Sequence, residues 1–120
     1  MNKKILIIDD DEAIVDAITA ALELKEYQVI GLGDAKEAVT VAQNVRPDLI
    51  LLDFLLSGTD GKTVALEIKK HAELKDIPII MLSAHPNAND YAREAQANDF
   101  LPKPFDLNQL WNAVEKQLSK

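Results

Sequence analysis

The chain has 120 residues, carries 20 acidic and 13 basic side chains, and has a net charge of −7 at pH 7. This length is enough for a single domain with one core, which we expect to span residues 1–120. The acidic balance argues against binding of nucleic acid or an anionic membrane surface, and the absence of cysteine excludes disulfides, thiolate metal sites and thiol catalysis.

Apolar runs alternate with helical patterns along the chain, and this alternation predicts five strand–helix units. The first strand is predicted at residues 5–8, a continuous Ile/Leu run typical of a strand buried on both faces of a parallel sheet. Asp11 is the candidate N-cap of the helix that follows. Residues 27–32 predict a more polar second strand, which we place at an edge of the sheet. Asp34 and Glu37 form a capping-box-like start for the second helix.

The third and fourth units repeat this arrangement. Residues 49–52, Leu-Ile-Leu-Leu, predict a buried strand, and a helix follows Gly61. Residues 79–82, Ile-Ile-Met-Leu, predict the fourth strand, and a short alanine-rich helix is predicted at residues 89–97. Strands one, three and four therefore form the middle of the predicted sheet.

The last unit consists of a strand at residues 100–102 and a helix that starts at Asp106, with Gln109 as its capping-box partner. Five such units joined by right-handed crossovers give an α/β fold, a doubly wound parallel sheet with helices on both faces. Periodicity alone does not choose between the two commonest strand orders of doubly wound sheets.

Polar residues of one chemical set follow four of the predicted strands: Asp9 and Asp10, Asp53, Ser83, and Lys103. Taken singly, each has an ordinary explanation, such as a polar turn, a hydroxyl bonded to nearby backbone, or a surface charge. Together they matter, because ligands of open α/β sheets bind beyond the carboxyl ends of the strands. Three crowded carboxylates hold protons or bind a cation, and oxygen ligands without cysteine favour Mg²⁺. Lys103 is then the positive partner of the cluster and of a bound phosphoryl group.

Five short motifs follow one another along the chain: Ile8-Asp9-Asp10-Asp11, Leu52-Asp53, Asp60-Gly61, Ser83-Ala84 and Lys103-Pro104-Phe105. In this order, along essentially the whole chain, they are similar to the receiver domain of two-component response regulators, of the single-domain chemotaxis-regulator type. The resemblance implies a flavodoxin-like five-stranded parallel sheet with strand order 2-1-3-4-5 and five helices.

The resemblance also implies a phosphorylation site. In it, Asp53 accepts a phosphoryl group, while Asp9, Asp10 and Asp53 hold Mg²⁺ together with the backbone carbonyl of Leu55. A carboxylate can attack phosphorus when a metal and an ammonium neutralise charge on the transferring group, so these roles are chemically consistent.

Further roles implied by the resemblance concern the readout of phosphorylation. Ser83 and Lys103 bind the phosphoryl oxygens, and Ser83 moves inward while the aromatic residue of the fifth strand, Phe100, occupies the vacated space. Phe100 has an equally simple explanation as a core or rim aromatic. The Lys103–Pro104 bond is cis in the family, although X-Pro bonds in general prefer trans.

Two positions depart from the family pattern. Ser57 stands where a proline is common, which predicts a looser loop after Asp53. A glycine usually ends the fourth helix, and here Asn98 is predicted to take the left-handed position. Because residues 85–87, His-Pro-Asn, are a poor helix start, the fourth helix is predicted to be short, shifted or mobile.

We expect a signalling module that is not an enzyme, although it assists its own phosphorylation and dephosphorylation. Its predicted donor is a sensor histidine kinase or a histidine phosphotransfer protein, and its predicted output is a protein bound at helix four, strand five and helix five. The N-terminal residues lead directly into a strand rather than a signal-peptide core, and no apolar run approaches the roughly 20 residues that span a bilayer. The expected location is the cytoplasm.

Two other classes of protein remain as alternatives. A receiver-like binding module would signal without phosphorylation, but it would have no need to keep the acidic set together with Ser83 and Lys103. A Mg²⁺-dependent hydrolase that forms an aspartyl-phosphate would fit an Asp-x-Asp pattern, which Asp9 and Asp11 provide. The absence of a cap domain or specificity insertion argues against the hydrolase.

Overall fold

Five parallel strands form the main sheet of the computed structural model, which describes residues 2–85 and 87–119. The main-sheet strands are β1 (Lys4–Ile8), β2 (Gln28–Leu32), β3 (Leu49–Asp53), β6 (Ile79–Ser83) and β7 (Asp99–Pro102). A small antiparallel hairpin, not predicted from the sequence, follows β3 and consists of β4 (Leu55–Leu56) and β5 (Thr59–Asp60). The sheet order is β2-β1-β3-β6-β7, which is the predicted 2-1-3-4-5 when only main-sheet strands are counted, so the flavodoxin-like fold is confirmed.

Five helices pack on the two faces of the main sheet, and side-chain caps mark the starts of the first, third and fifth. Asp11 caps the first helix by accepting hydrogen bonds from the backbone N–H groups of Ala13 and Ile14. Asp106 and Gln109 form the predicted capping box. Asp34 caps a 3₁₀ turn, Ala35–Glu37, that leads into the second helix. The helices are α1 (Glu12–Glu23), α2 (Ala38–Val45), α3 (Gly61–Lys69), α4 (Ala88–Glu94) and α5 (Leu107–Leu118), and within residues 2–85 and 87–119 none is long and apolar enough to cross a bilayer.

The alternation of side chains along β1 divides the core into two layers. Ile5 and Ile7 face the layer formed with α1 and α5, whereas Leu6 and Ile8 face the layer formed with α2, α3 and α4. All four side chains are fully buried, which explains why the strand is apolar throughout. Parallel register then brings the carboxyl ends of β1, β3, β6 and β7 to one edge of the sheet.

Gly61 lets α3 begin directly against the end of β3. A Cβ atom at this position would lie 2.6 Å from the carbonyl oxygen of Asp53 and 2.9 Å from the Cα of Phe54. The Gly61 N–H donates a 2.7 Å hydrogen bond to the Phe54 carbonyl, and Asp60 caps the helix through the N–H of Thr63. The Asp60-Gly61 motif therefore fixes the loop that follows Asp53.

The fourth helix is short, as predicted, but it ends differently from the prediction. It stops at Glu94, and Gln96 rather than Asn98 takes the left-handed conformation, with φ 60°. The N–H of Ala97 bonds the Ala92 carbonyl at 2.9 Å, which closes a Schellman motif around Gln96. Asn98 is used elsewhere, because its side-chain oxygen accepts a hydrogen bond from the Ile79 N–H at the start of β6. The prediction for Asn98 is therefore wrong.

Candidate functional site

Three carboxylates meet at the carboxyl edge of the sheet, as the sequence predicted. Asp9, Asp10 and Asp53 each offer an oxygen, and these oxygens all lie within 4.8 Å of one another. Asp9 follows β1 and Asp53 ends β3, and both side chains are buried, whereas Asp10 is exposed. The adjacent Asp11 belongs to the helix cap instead, which separates its role from that of the cluster.

Lys103 brings a positive charge to this cluster. Its Nζ lies 3.1 Å from Asp53 Oδ1 and 3.5 Å from Asp9 Oδ2, and its side chain is 19% exposed. The Lys103 N–H donates to the carbonyl of Ser83 at 2.8 Å, which continues the pairing of β6 with β7 beyond the last strand residue. The Lys103–Pro104 bond is cis, as the family resemblance implied.

One ammonium only partly compensates the negative charge of the three carboxylates. Burial raises the pKa of the Asp53 carboxyl; the hydrogen bond from Lys103 opposes this shift, and the charge of Asp9 adds to it. Asp9 Oδ2 is buried and accepts no hydrogen bond from the described residues, and the 3.5 Å to Lys103 Nζ is an ion-pair distance that is long for a hydrogen bond. A buried orphan oxygen beside a carboxylate that resists ionisation fits a site for a divalent cation.

Ser83 lies at the end of β6, beside the cluster. Its Oγ accepts a 2.9 Å hydrogen bond from the N–H of His85, so the hydroxyl is bonded to nearby backbone. Phe100 is on the neighbouring strand, opposite Met81, and packs partly buried against the layer that includes α4. Leu55 is two residues beyond Asp53 in the hairpin, and its side chain is 64% exposed.

Ser57 contacts the cluster directly, which the sequence did not predict. Its backbone N–H donates to Asp10 Oδ2 at 2.8 Å, and its hydroxyl donates to the same oxygen. The hydroxyl and then the N–H of Ser57 are the main causes that lower the pKa of Asp10. The predicted loosening of the loop is therefore wrong, because Ser57 ties the hairpin to the start of α1.

Three aromatic rings also lie next to the site. Phe54 stacks on Tyr91 of α4 with ring centroids 4.5 Å apart, and His85 meets Tyr91 edge-on at 4.8 Å. Phe54 follows Asp53 in the chain, and His85 is the residue whose N–H bonds Ser83. Because the rings come from three separate segments, periodicity gave no signal for this group.

A family model supplies the class of protein. The model of the response regulator receiver domain matches residues 5–115. The chain belongs to this family, whose members act as phosphorylation switches of two-component systems.

Curated relatives agree with this assignment. The chain is 38% identical over 112 residues to the phosphate regulon transcriptional regulatory protein PhoB of Pseudomonas aeruginosa, covering 92% of this chain and 49% of PhoB. It is 36% identical over 119 residues to the DNA-binding dual master transcriptional regulator RpaA of Synechocystis, covering 98% of this chain and 49% of RpaA. The chain therefore spans about half the length of these relatives.

Solved structures agree as well. A response regulator from Chloroflexus aurantiacus superposes with a TM-score of 0.95 at 31% identity, with 100% of both chains covered. The receiver domain of sensor histidine kinase PA1611 from Pseudomonas aeruginosa, with magnesium coordinated in its active-site cleft, gives 0.92 at 29% identity and the same coverage. Chemotaxis protein CheY4 of Vibrio cholerae gives 0.91 at 26% identity, covering 98% of this chain and 100% of CheY4.

Proposed function

We propose that Asp53 is the phosphoacceptor of this receiver domain and that a phosphohistidine is its donor. The observation that carries the proposal is the position of Asp53, which is 7% exposed at the end of β3 with Lys103 Nζ 3.1 Å away. The oxygens of Asp9 and Asp10 lie within 4.8 Å. Asp9 is buried in the same cluster, but its oxygen lies farther from the ammonium, at 3.5 Å, so Asp53 makes the closer contact with Lys103.

The transfer uses one oxygen of Asp53 as the nucleophile. This oxygen bonds to phosphorus while the P–N bond of the phosphohistidine breaks, and the imidazole, protonated on its other nitrogen, leaves with the electron pair. The product is an acyl phosphate on Asp53. Lys103 stabilises the charge on the phosphoryl oxygens, and Ser83 donates a hydrogen bond to one of them.

Asp9, Asp10, Asp53 and the carbonyl of Leu55 are the proposed protein ligands of Mg²⁺. When bound, the ion would neutralise charge on the transferring phosphoryl group. The orphan oxygen of Asp9 supports a cation at this place. The Mg²⁺-bound receiver domain of PA1611 shows that a structure of the same fold takes the ion in its cleft.

The proposed readout is a two-state change at β6 and β7, the fourth and fifth strands of the main sheet, and at α4. Phosphorylation adds charge and acceptor oxygens to Asp53, which attract the Ser83 hydroxyl away from the His85 N–H. Phe100 then fills the space that Ser83 leaves. The surface of α4, β7 and α5 carries this change to a protein target.

We propose residues 1–120 as one receiver unit of a cytoplasmic phosphorelay, with a sensor histidine kinase or histidine phosphotransfer protein as its donor. The unit is a phosphoacceptor rather than an enzyme that converts a separate substrate. It binds neither nucleic acid nor a membrane, which its net charge of −7 supports.

Treatment with acetyl phosphate and Mg²⁺, followed by intact-mass measurement, tests the proposal. Wild type should gain one phosphoryl group, and Asp53→Asn should gain none. Asp76→Asn, an exposed aspartate after α3, is the control and should behave as wild type. A gain that persists in Asp53→Asn would assign the phosphoacceptor to another residue.

A further inference from the structure

The hairpin that follows β3 is attached to Asp10 by two hydrogen bonds. Ser57 stands at the turn between β4 and β5, and both its backbone N–H and its hydroxyl donate to Asp10 Oδ2. The N–O distance is 2.8 Å. Two donors from one residue on one oxygen fix the rotation of the Asp10 carboxylate about its own axis.

Asp10 needs such support more than the other two acids of the cluster. Asp9 and Asp53 are buried among strand residues, whereas Asp10 is exposed at the start of the loop before α1. An exposed carboxylate loses rotamer freedom when it becomes a ligand, and this loss weakens binding. A partner that has already fixed the side chain removes part of that cost.

The geometry also leaves one oxygen of Asp10 for a metal. Carboxylates that ligate metals commonly accept hydrogen bonds from neighbouring residues, and these neighbours orient the ligand. With both Ser57 donors on Oδ2, Oδ1 remains available for coordination.

We propose that Ser57 is a positioning residue for magnesium: it holds the Asp10 carboxylate so that its free oxygen faces the cation. The inference rests on the proposed metal site of Asp9, Asp10 and Asp53. It assigns a role in cation affinity to the residue at which this chain departs from the proline common in its family.

Magnesium titration, followed by backbone amide chemical shifts, tests the inference on wild type and three variants. Ser57→Ala removes the hydroxyl donor and should weaken Mg²⁺ binding about tenfold, the lower end of the range for residues that orient metal ligands. Ser57→Thr keeps a hydroxyl and should restore wild-type affinity. Thr59→Val removes a hydroxyl from the same hairpin that does not contact Asp10, and it should also bind as wild type.

A second measurement distinguishes whether Ser57 supports Asp10 as a metal ligand or competes with the metal for Asp10. The scalar coupling across the hydrogen bond, between Ser57 ¹⁵N and Asp10 ¹³Cγ, should be present without Mg²⁺ and should persist at saturation. Loss of this coupling on saturation, or tighter binding by Ser57→Ala, would show that Ser57 competes with the metal and would overturn the inference.

The wild-type titration separates a failure of the positioning role of Ser57 from a failure of the proposed metal site. If wild type and Ser57→Ala bind Mg²⁺ equally, the positioning role is wrong while the proposed metal site stands. If wild type shows no response at Asp9, Asp10 and Asp53, the proposed site fails and the inference fails with it.

Discussion

Lys103 faces different partners in the resting site and in the proposed phosphorylated site. At rest its ammonium lies 3.1 Å and 3.5 Å from two carboxylates and reduces their mutual repulsion. In the proposed phosphorylated state it pairs with phosphoryl oxygens, which carry more negative charge than a carboxylate and bind an ammonium more strongly. On this proposal, one side chain serves both the stability of the resting site and the chemistry of the switch.

Lys103→Ala should slow phosphorylation more than it destabilises the fold. Removal of one preorganised donor to a transition-state oxygen costs about 10²-fold in rate, and we expect a decrease of that order. Mg²⁺ should bind at least as tightly as in wild type, because a competing cation is gone. Phosphorylation kinetics by intact mass and Mg²⁺ titration provide the two measurements.

Lys70→Ala is the matched control, since Lys70 is an exposed lysine at the end of α3 whose ammonium pairs only with Glu67 among the described residues. Chemical-shift changes around Ser83 and Phe100 on adding beryllium fluoride, a stand-in for the phosphoryl group, report the switch. Equal changes in wild type and Lys103→Ala would remove Lys103 from the conformational response.

At the level of elements, α4 is the shortest of the five described helices, and it ends, like α2, on a left-handed residue other than glycine. It has seven residues, and its Schellman motif places Gln96, a residue with a Cβ atom, at φ 60°. Left-handed backbone is costly for residues with a Cβ atom, and glycine avoids that cost. The end of α4 therefore stores strain that a substitution can release.

Gln96→Gly should stabilise the protein by about 0.5–1 kcal/mol, because the release of left-handed strain exceeds the greater entropy of glycine in the unfolded chain. Lys116→Gly, at an exposed position in the last turn of α5, should instead destabilise the protein, because glycine replaces a good helix former. Urea unfolding at one pH measures both. Destabilisation by both substitutions would show that position 96 carries no strain.

The elements were predictable because their signals are local. The runs at β1, β3 and β6 and the caps at Asp11 and Asp106 depend only on neighbouring residues. The acidic cluster was predictable because parallel topology brings strand ends together. The strand order itself required the family resemblance.

Contacts between residues far apart in the sequence were not predictable, and neither were local conformations that depend on such contacts. The bond from Ser57 to Asp10 joins residues 47 positions apart, and neither residue type requires the other. Gln96 takes the left-handed position instead of Asn98, whose side chain accepts a hydrogen bond from the backbone of β6. The aromatic contacts of Tyr91 depended on where α4 packs, which periodicity does not specify.

At the scale of the whole molecule, the buried carboxylate of the proposed site lowers the stability of the folded protein at neutral pH. Asp53 has a raised pKa in the folded protein, caused first by burial. The folded state therefore binds a proton at Asp53 more readily than the unfolded state, and this group favours folding more in acid than at neutral pH. Its contribution falls as pH rises from the ordinary aspartate value of 3.8 through the raised folded pKa.

Asp53→Asn should consequently raise the free energy of unfolding at pH 7 in the presence of a chelator. The gain should shrink as pH is lowered through the raised pKa, because wild-type Asp53 then becomes neutral as well. Each unit of pKa difference corresponds to about 1.4 kcal/mol, which sets the scale of the effect. Urea unfolding of both proteins across pH 4–7 measures it, and a gain that is constant with pH would contradict the electrostatic explanation.

The close approach at Gly61 has a mechanical consequence for signalling. Backbone meets backbone there, with the Gly61 N–H bonded to Phe54 at 2.7 Å and no space for even a methyl group, so α3 and the end of β3 behave as one stiff body. Phe54 also stacks on the flat face of Tyr91 in α4, and stacked rings tolerate sliding that a backbone contact does not. In the proposed switch, displacement that starts at Asp53 would therefore leave the site through α4, with α3 as the fixed support.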